Sequence, residues 1–147
     1  MSIVFTDVDD VLVLKRTVDF DKHAPRWSKD ICRRLLHPPA MQVLTSLTEN
    51  GARIVITSNW VRFLDRAGFQ HLFQGGGYAG IGRALHVAWQ APPVPTGSRL
   101  DAINAWLAHH HIGEPLRFLM TPRRAPVYEV PNMTWMVVSS CANLVWA

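Results

Sequence analysis

An apolar segment at the amino end of the chain stops at a cluster of acids. Residues 2–14 read SIVFTDVDDVLVL, so that Asp7, Asp9 and Asp10 stand between two apolar stretches. The β-branched and aromatic side chains of residues 2–8 predict a buried strand. Carboxylates crowded at the end of a buried strand cost free energy unless a cation or a phosphoryl site uses them. The segment therefore indicates a site that handles a metal ion or a phosphoryl group.

Strands and helices alternate after this segment. The stretches ARIVITS at 52–58 and PLRFLM at 115–120 predict two further buried strands. Apolar periodicity, capping residues and stop residues predict the helices in between, at 28–36, 40–51, 59–73 and 98–111. Such alternation predicts an α/β fold, a Rossmann-like doubly wound parallel sheet in three layers with helices on both faces.

The predicted sheet brings polar side chains to one edge. In open α/β sheets, ligands bind outside the carboxyl ends of the strands. Asp7 and Asp9 follow the first strand, and Thr57 and Ser58 follow the second. Two carboxylates at such an edge can divide the chemistry, because one can attack while the other transfers a proton. A solvated acidic turn is the alternative for a bare DxD, but the buried strand before it and the apolar residues after it favour a site.

Two segments carry no predicted element. GGGYAGIG at 75–82 is rich in glycine but lacks the strand-to-helix context of a phosphate-binding loop, so it is expected to be a connector. APPVPTG at 91–97 is expected to be a linker.

Size and composition restrict the alternatives. The 147 residues fit a single domain. No apolar run approaches the roughly 18 to 20 residues that cross a bilayer, and the amino end does not look like a secretory signal, so we expect a cytoplasmic protein without membrane partners. Cys32 and Cys141 show no metal-type spacing and are expected to be free thiols. The formal charge of +4 suits an anionic ligand, either a phosphate ester or a nucleic acid.

Three motifs, in order along the chain, resemble those of the haloacid dehalogenase (HAD) superfamily of phosphotransferases. That superfamily carries DxDxxL after its first strand, and DVDDVL at 7–12 matches it. Its second motif is a buried strand ending in Thr or Ser, which IVITSN at 54–59 matches through Thr57. Its third is a Lys or Arg near the start of a later helix, for which Arg99 is the best candidate. The chain is most similar to small members with little or no cap, a group that includes phosphatase domains associated with RNA repair.

The resemblance implies a function and a role for each residue. Asp7 would attack phosphorus to form an aspartyl-phosphate, and Asp9 would protonate the leaving oxygen and later activate water. Thr57, with Ser58 beside it, would bind the phosphoryl group, and Arg99 would neutralise its charge. Mg²⁺ would be held by Asp7 and by Asp9, through its backbone carbonyl. The expected activity is Mg²⁺-dependent hydrolysis of a phosphomonoester on a small molecule or a nucleic-acid end.

The chain departs from the fourth motif of the superfamily, which places one or two aspartates after a third strand. Here LRFLM is followed by Thr121 and Pro122. A site without these acids would hold Mg²⁺ weakly. A catalytically inactive phosphate-binding α/β module is therefore a second hypothesis. A phosphoacceptor signalling domain is disfavoured, because its acceptor aspartate would stand at the position of Thr57.

The tail is atypical in its sequence. Within the single domain 1–147, the core is expected to be 1–120, and 121–147 shows weak periodicity and no clean helix. If Leu119, Met120 and Thr121 were encoded CTG ATG ACN, the frame one base earlier would read GAT GAC, which is Asp-Asp where the fourth motif requires acids. We therefore expect an irregular tail and consider a frame shift as its origin.

Overall fold

The computed structural model describes residues 1–8, 11–13, 27–92 and 99–120, together with the backbone of 133–138 and 144–146. The strands, in chain order, are β1 (Ile3–Thr6), β2 (Arg53–Ile56), β3 (Leu85–Gln90), β4 (Leu116–Met120), β5 (Met133–Val138) and β6 (Leu144–Trp146). The α-helices are α1 (Lys29–Leu35), α2 (Pro38–Glu49), α3 (Arg66–Gly75), α4 (Ala79–Arg83) and α5 (Arg99–His110), and a 3₁₀ helix spans Asn59–Arg62.

The described strands form one sheet in the order β3-β2-β1-β4-β5-β6. All neighbouring pairs from β3 to β5 are parallel, whereas β6 runs antiparallel to β5. Phe5 of β1 lies between Val55 of β2 and Phe118 of β4, in register with both. The carboxyl ends of β1, β2 and β4 therefore meet at the same edge of the sheet.

Side chains alternate along β1 and so pack into two separate cores. Val4 belongs to a core with residues from α1 to α4, including Met41 of α2 and Phe69 of α3. Phe5 belongs to the opposite core, where Trp106 of α5 packs edge-on against its ring at a centroid distance of 5.2 Å. Helices on both faces of a parallel sheet confirm the predicted three-layer α/β fold.

Helix boundaries differ from the predictions in two places. α2 begins at Pro38 rather than at the predicted residue 40, because a proline in the first turn of a helix lacks only an N–H that would have no partner within the helix. The predicted helix 59–73 is instead a 3₁₀ helix followed by α3. α3 starts at Arg66 because Asp65 caps it: Oδ1 of Asp65 accepts a hydrogen bond from the N–H of Gly68 at 2.8 Å.

The glycine-rich segment 75–82 is not a plain connector. Its second half begins α4, and β3 follows, a strand that the sequence did not predict. LHVAWQ contains one Val and one Trp but no run of β-branched residues, and only Leu85 is buried. The guanidinium of Arg66 donates to the carbonyl oxygens of Leu85 and His86 at 3.0 and 2.7 Å, so a side chain bonds two carbonyls of this strand.

Two further expectations concern membranes and cysteines. In the described parts of the chain, no helix is both long and apolar enough to cross a membrane. Cys32 is a free, buried thiol, as predicted, and its burial raises the pKa of the thiol. Cys141 lies outside the described residues.

Candidate functional site

The buried polar residues of the described chain lie together at one edge of the sheet. They are Thr6 and Asp7 at the end of β1 and Thr57 and Ser58 at the end of β2. Buried polar groups require partners to offset their desolvation. Their concentration at the carboxyl ends of two neighbouring strands marks this edge as the candidate site.

Asp7 is fully buried and is held by the backbone around it. Its N–H donates to the carbonyl oxygen of Leu119 in β4 at 3.1 Å, which continues the strand pairing by one residue. Its Oδ1 accepts a hydrogen bond from the N–H of Val8 at 2.8 Å. The carboxylate is therefore fixed where β1 ends, with Oδ2 directed at a cation.

That cation is Arg99, the first residue of α5. Its Nη1 lies 2.6 Å from Oδ2 of Asp7 and donates to the carbonyl oxygen of Thr57 at 2.5 Å. One side chain thus joins the end of β1 to the end of β2. The Arg99 side chain is 20% exposed whereas the Asp7 side chain is completely buried, so Arg99 is the member of the pair that an incoming anion can reach.

Thr57 and Ser58 take different positions at the end of β2. The N–H of Thr57 donates to the carbonyl oxygen of Thr6 at 2.9 Å, and its hydroxyl donates to the same oxygen at 3.3 Å. Ser58 Oγ accepts from the N–H of Trp60 at 3.2 Å and so caps the 3₁₀ helix. Because this bond uses the oxygen of Ser58 as acceptor, its hydroxyl hydrogen can serve a phosphoryl oxygen.

The structure brings four of the five predicted site residues together: Asp7, Thr57, Ser58 and Arg99. Their catalytic and phosphate-binding roles stay predictions. The hydroxyl of Thr57 faces the backbone of β1, so binding a phosphoryl oxygen requires it to rotate. Asp9 lies outside the described residues, as does Asp10.

The described residues meet only part of the requirements of a magnesium site. Asp7 is a suitable oxygen ligand, but its Oδ2 is paired with Arg99. The neighbouring strand β4 ends in Leu119 and Met120, both fully buried and apolar. Within the described ranges no group of three or more His, Cys, Asp or Glu side chains could hold a metal ion. The described residues therefore supply one ligand and do not complete a metal site.

Sequence reasoning missed two side chains at the rim of this edge. Arg62 and Phe63, interpreted as part of a continuous helix, are both exposed at the end of the 3₁₀ helix. Asp65 was the signal in the sequence that could have revealed them. Aspartate is a favoured N-cap residue, so it marks the start of a new helix and leaves Arg62 and Phe63 outside that helix.

Comparison with known proteins gives one match. Over residues 3–120 the chain matches the family described as "HAD domain in Swiss Army Knife RNA repair proteins". The chain belongs to this family. The match confirms the resemblance to the HAD superfamily and to its RNA-repair-associated group, and it favours phosphoester hydrolysis as the general chemistry. No curated protein and no solved structure matches the chain.

Proposed function

We propose that this HAD domain is a phosphomonoester hydrolase that works through an aspartyl-phosphate on Asp7. The observation that carries the proposal is the cluster at the sheet edge, where Arg99 Nη1 lies 2.6 Å from Asp7 Oδ2 and also bonds the Thr57 carbonyl. A buried carboxylate fixed next to a partly exposed guanidinium offers a nucleophile and an anion-binding group in one place.

Asp7 supplies the nucleophile in this proposal. One carboxylate oxygen attacks phosphorus, the ester P–O bond breaks, and the leaving oxygen takes a proton from Asp9, whose role comes from the sequence motif. Water then attacks phosphorus, the bond to Asp7 breaks, and Asp9 accepts the proton of that water. Inorganic phosphate leaves and both aspartates return to their starting states.

Arg99 and the end of β2 orient the phosphoryl group. The guanidinium has five N–H donors in a planar fork, so it can keep its contact with Thr57 while other donors bind phosphoryl oxygens. Ser58 and Thr57 would donate hydroxyl hydrogens to the same group. When bound, Mg²⁺ would be held by Asp7 and Asp9 and would neutralise charge on the phosphoryl oxygens.

We infer that the substrate is a phosphorylated nucleic-acid end rather than a small phosphate ester. The family description names RNA repair, and the net charge of +4 is compatible with a polyanion, as it is with a small phosphate ester. The cytoplasmic location expected from the sequence stays a prediction.

Hydrolysis of a generic aryl phosphate, with Mg²⁺ and with chelator, tests the reaction class. We expect turnover in Mg²⁺ and its loss in Asp7→Asn, which keeps the size of the side chain but removes the nucleophile. Arg99→Lys is the matched variant for the cation, because it keeps a charge but loses the fork, and it should lower kcat/KM without abolishing turnover. Equal turnover by wild type and Asp7→Asn would contradict the mechanism.

An inactive phosphate-binding module is the second candidate, favoured by the apolar end of β4. Leu119 and Met120 leave no carboxylate on the third strand of the site, and Thr121 and Pro122 follow them in sequence. Binding of inorganic phosphate to the wild type, measured by calorimetry, without any aryl phosphate turnover would identify this alternative.

We also propose that the tail 121–147 is read in a shifted frame. The family match ends at residue 120, directly before Thr121, where the sequence first departs from the fourth motif. The nucleotide sequence tests this. Translation of the frame one base earlier should give Asp-Asp in place of Met120 and Thr121 and continue a HAD-like ending, and a stop codon soon after would exclude the idea.

A further inference from the structure

An aromatic side chain stands exposed beside the candidate site. Four large apolar side chains of the described residues are more than half exposed: Met1, Phe63, Val87 and Ile112. Met1 and Ile112 precede β1 and β4, at the amino ends of the strands, and Val87 lies within β3. Phe63, at 51% exposure, is the member of this set that follows the carboxyl end of a central strand.

Neighbouring contacts hold this part of the chain in place. Trp60 is buried and packs edge-on against Trp27 at a centroid distance of 6.2 Å. Its carbonyl oxygen accepts hydrogen bonds from the N–H groups of Phe63 and Leu64, at 3.0 and 2.9 Å, and Leu64 is buried. The backbone of Phe63 is thus anchored between two buried side chains, while about half of the residue's surface is exposed to solvent.

An exposed cation precedes Phe63 in the chain. Arg62 is exposed and directly precedes Phe63. Single-stranded nucleic acids are bound by aromatic rings that stack on bases, together with cations that follow the phosphates. An exposed phenyl ring and an exposed arginine on consecutive residues fit that chemistry better than they fit a small phosphate ester, which has no base to stack.

The distance to the site is suitable for one nucleotide. Phe63 follows Ser58 by five residues across the 3₁₀ helix, and at a rise of about 2.0 Å per residue the two Cα atoms are roughly 10 Å apart. A length of this order is what a sugar needs to connect a terminal phosphate to its base.

We propose that Phe63 and Arg62 form a nucleobase subsite, in which Phe63 stacks on the terminal base of a single-stranded end whose phosphate lies at Arg99. The phosphate part of this arrangement rests on the proposed function. The stacking part does not, because it predicts binding of a nucleic acid whether or not hydrolysis occurs. The subsite tolerates different bases, since every base offers a π face.

Fluorescence anisotropy with two short labelled RNA strands, one with a terminal phosphate and one without, tests the subsite. We expect Phe63→Ala to lower the affinity for both RNA strands about tenfold, as is typical for the loss of one stacked base. Phe63→Trp should bind at least as well as wild type. Phe63→Leu should bind as poorly as the alanine variant, because it keeps an apolar side chain but has no π face. Ile112→Ala is the control, because Ile112 is also apolar and exposed but precedes the amino end of β4, at the opposite edge of the sheet. It should not change the affinity for either RNA strand.

Three outcomes overturn the proposal. They are unchanged RNA affinity in Phe63→Ala, full affinity in Phe63→Leu, which would indicate an apolar protein contact instead, and an equal loss in Ile112→Ala. Aryl phosphate turnover by the wild type is measured in parallel. If wild type fails to turn over aryl phosphate but Phe63→Ala still weakens RNA, the proposed function fails and the subsite stands; the reverse pattern removes the subsite alone.

Discussion

The carboxyl ends of β1 and β2 differ sharply from the carboxyl end of β4, although the three strands are neighbours in one parallel sheet. β1 and β2 end in buried polar residues that share Arg99, through Asp7 and the carbonyl of Thr57. β4 ends in buried apolar residues, Leu119 and Met120. The residues that we propose to bind phosphate are therefore assembled at one edge, whereas the described residues at the end of β4 add no carboxylate that could complete a metal site.

The largest effect is expected from placing a charge at the end of β4. Met120 is fully buried, so Met120→Asp should lower the free energy of unfolding by about 4 kcal/mol or more, from the lost packing and the unpaired buried carboxylate. Urea denaturation measures it, with Met120→Leu as the volume-conserving control expected to cost under about 1.5 kcal/mol. Equal stability of Met120→Asp and wild type would show that β4 tolerates an acid as β1 does, and would agree with the aspartate that the shifted frame puts at position 120.

A smaller loss is expected at the end of β1. Asp7→Ala leaves Arg99 without its carboxylate, and removing one partner of a buried pair typically costs about 3 to 5 kcal/mol. Because the arginine is partly exposed, we expect about 2 to 3 kcal/mol here. The double variant Asp7→Ala/Arg99→Met should recover part of that loss in a double-mutant cycle. Strict additivity of the two single changes would mean that the pair contributes no coupling.

Restoring an acid after β4 should change metal binding rather than folding. Thr121→Asp puts a carboxylate where the fourth motif of the family has one, and we expect the apparent Mg²⁺ affinity to rise about tenfold or more. Mg²⁺ titration by calorimetry checks this, and Thr121→Asn is the uncharged control. Equal Mg²⁺ affinity of the two variants would show that the missing acid is not what limits Mg²⁺ binding.

The smallest expected effect is a pH dependence of the stability, and it arises from His86 in β3, outside the two regions compared above. Burial lowers the pKa of His86 below its ordinary 6.5, and the charges of His110, Arg53 and Arg66 lower it further while Glu114 opposes them. The unfolded chain therefore binds a proton more readily, so stability should fall as pH drops below about 6.5. Nδ1 of His86 also accepts from the N–H of Ala88 at 2.9 Å, a bond that protonation removes.

Urea denaturation at pH 7.5 and pH 5 measures this slope. His86→Gln should flatten it, because glutamine can accept the same hydrogen bond but does not titrate in this range. An unchanged slope in the variant would assign the pH dependence to other groups.

Local sequence patterns predicted most of the central strands of this protein. β1, β2 and β4 were predicted because Ile, Val and Phe runs of buried strands are visible without tertiary context, and α5 was predicted from its apolar face. β3 was missed because its sequence lacks such a run and only Leu85 is buried. Tertiary contacts therefore determine that these residues form a strand. β3 pairs with β2, and its carbonyl oxygens accept hydrogen bonds from Arg66.

The sequence by itself determined the three-layer α/β fold and the residues that converge at the ends of β1 and β2, because alternating strands and helices force parallel strands to end at one edge. Only the tertiary structure decided that Arg99 bonds both Asp7 and Thr57, and that Phe63 is exposed beside that edge. Such contacts join residues far apart in the chain, and their geometry depends on how helices pack on the sheet, which no local pattern encodes.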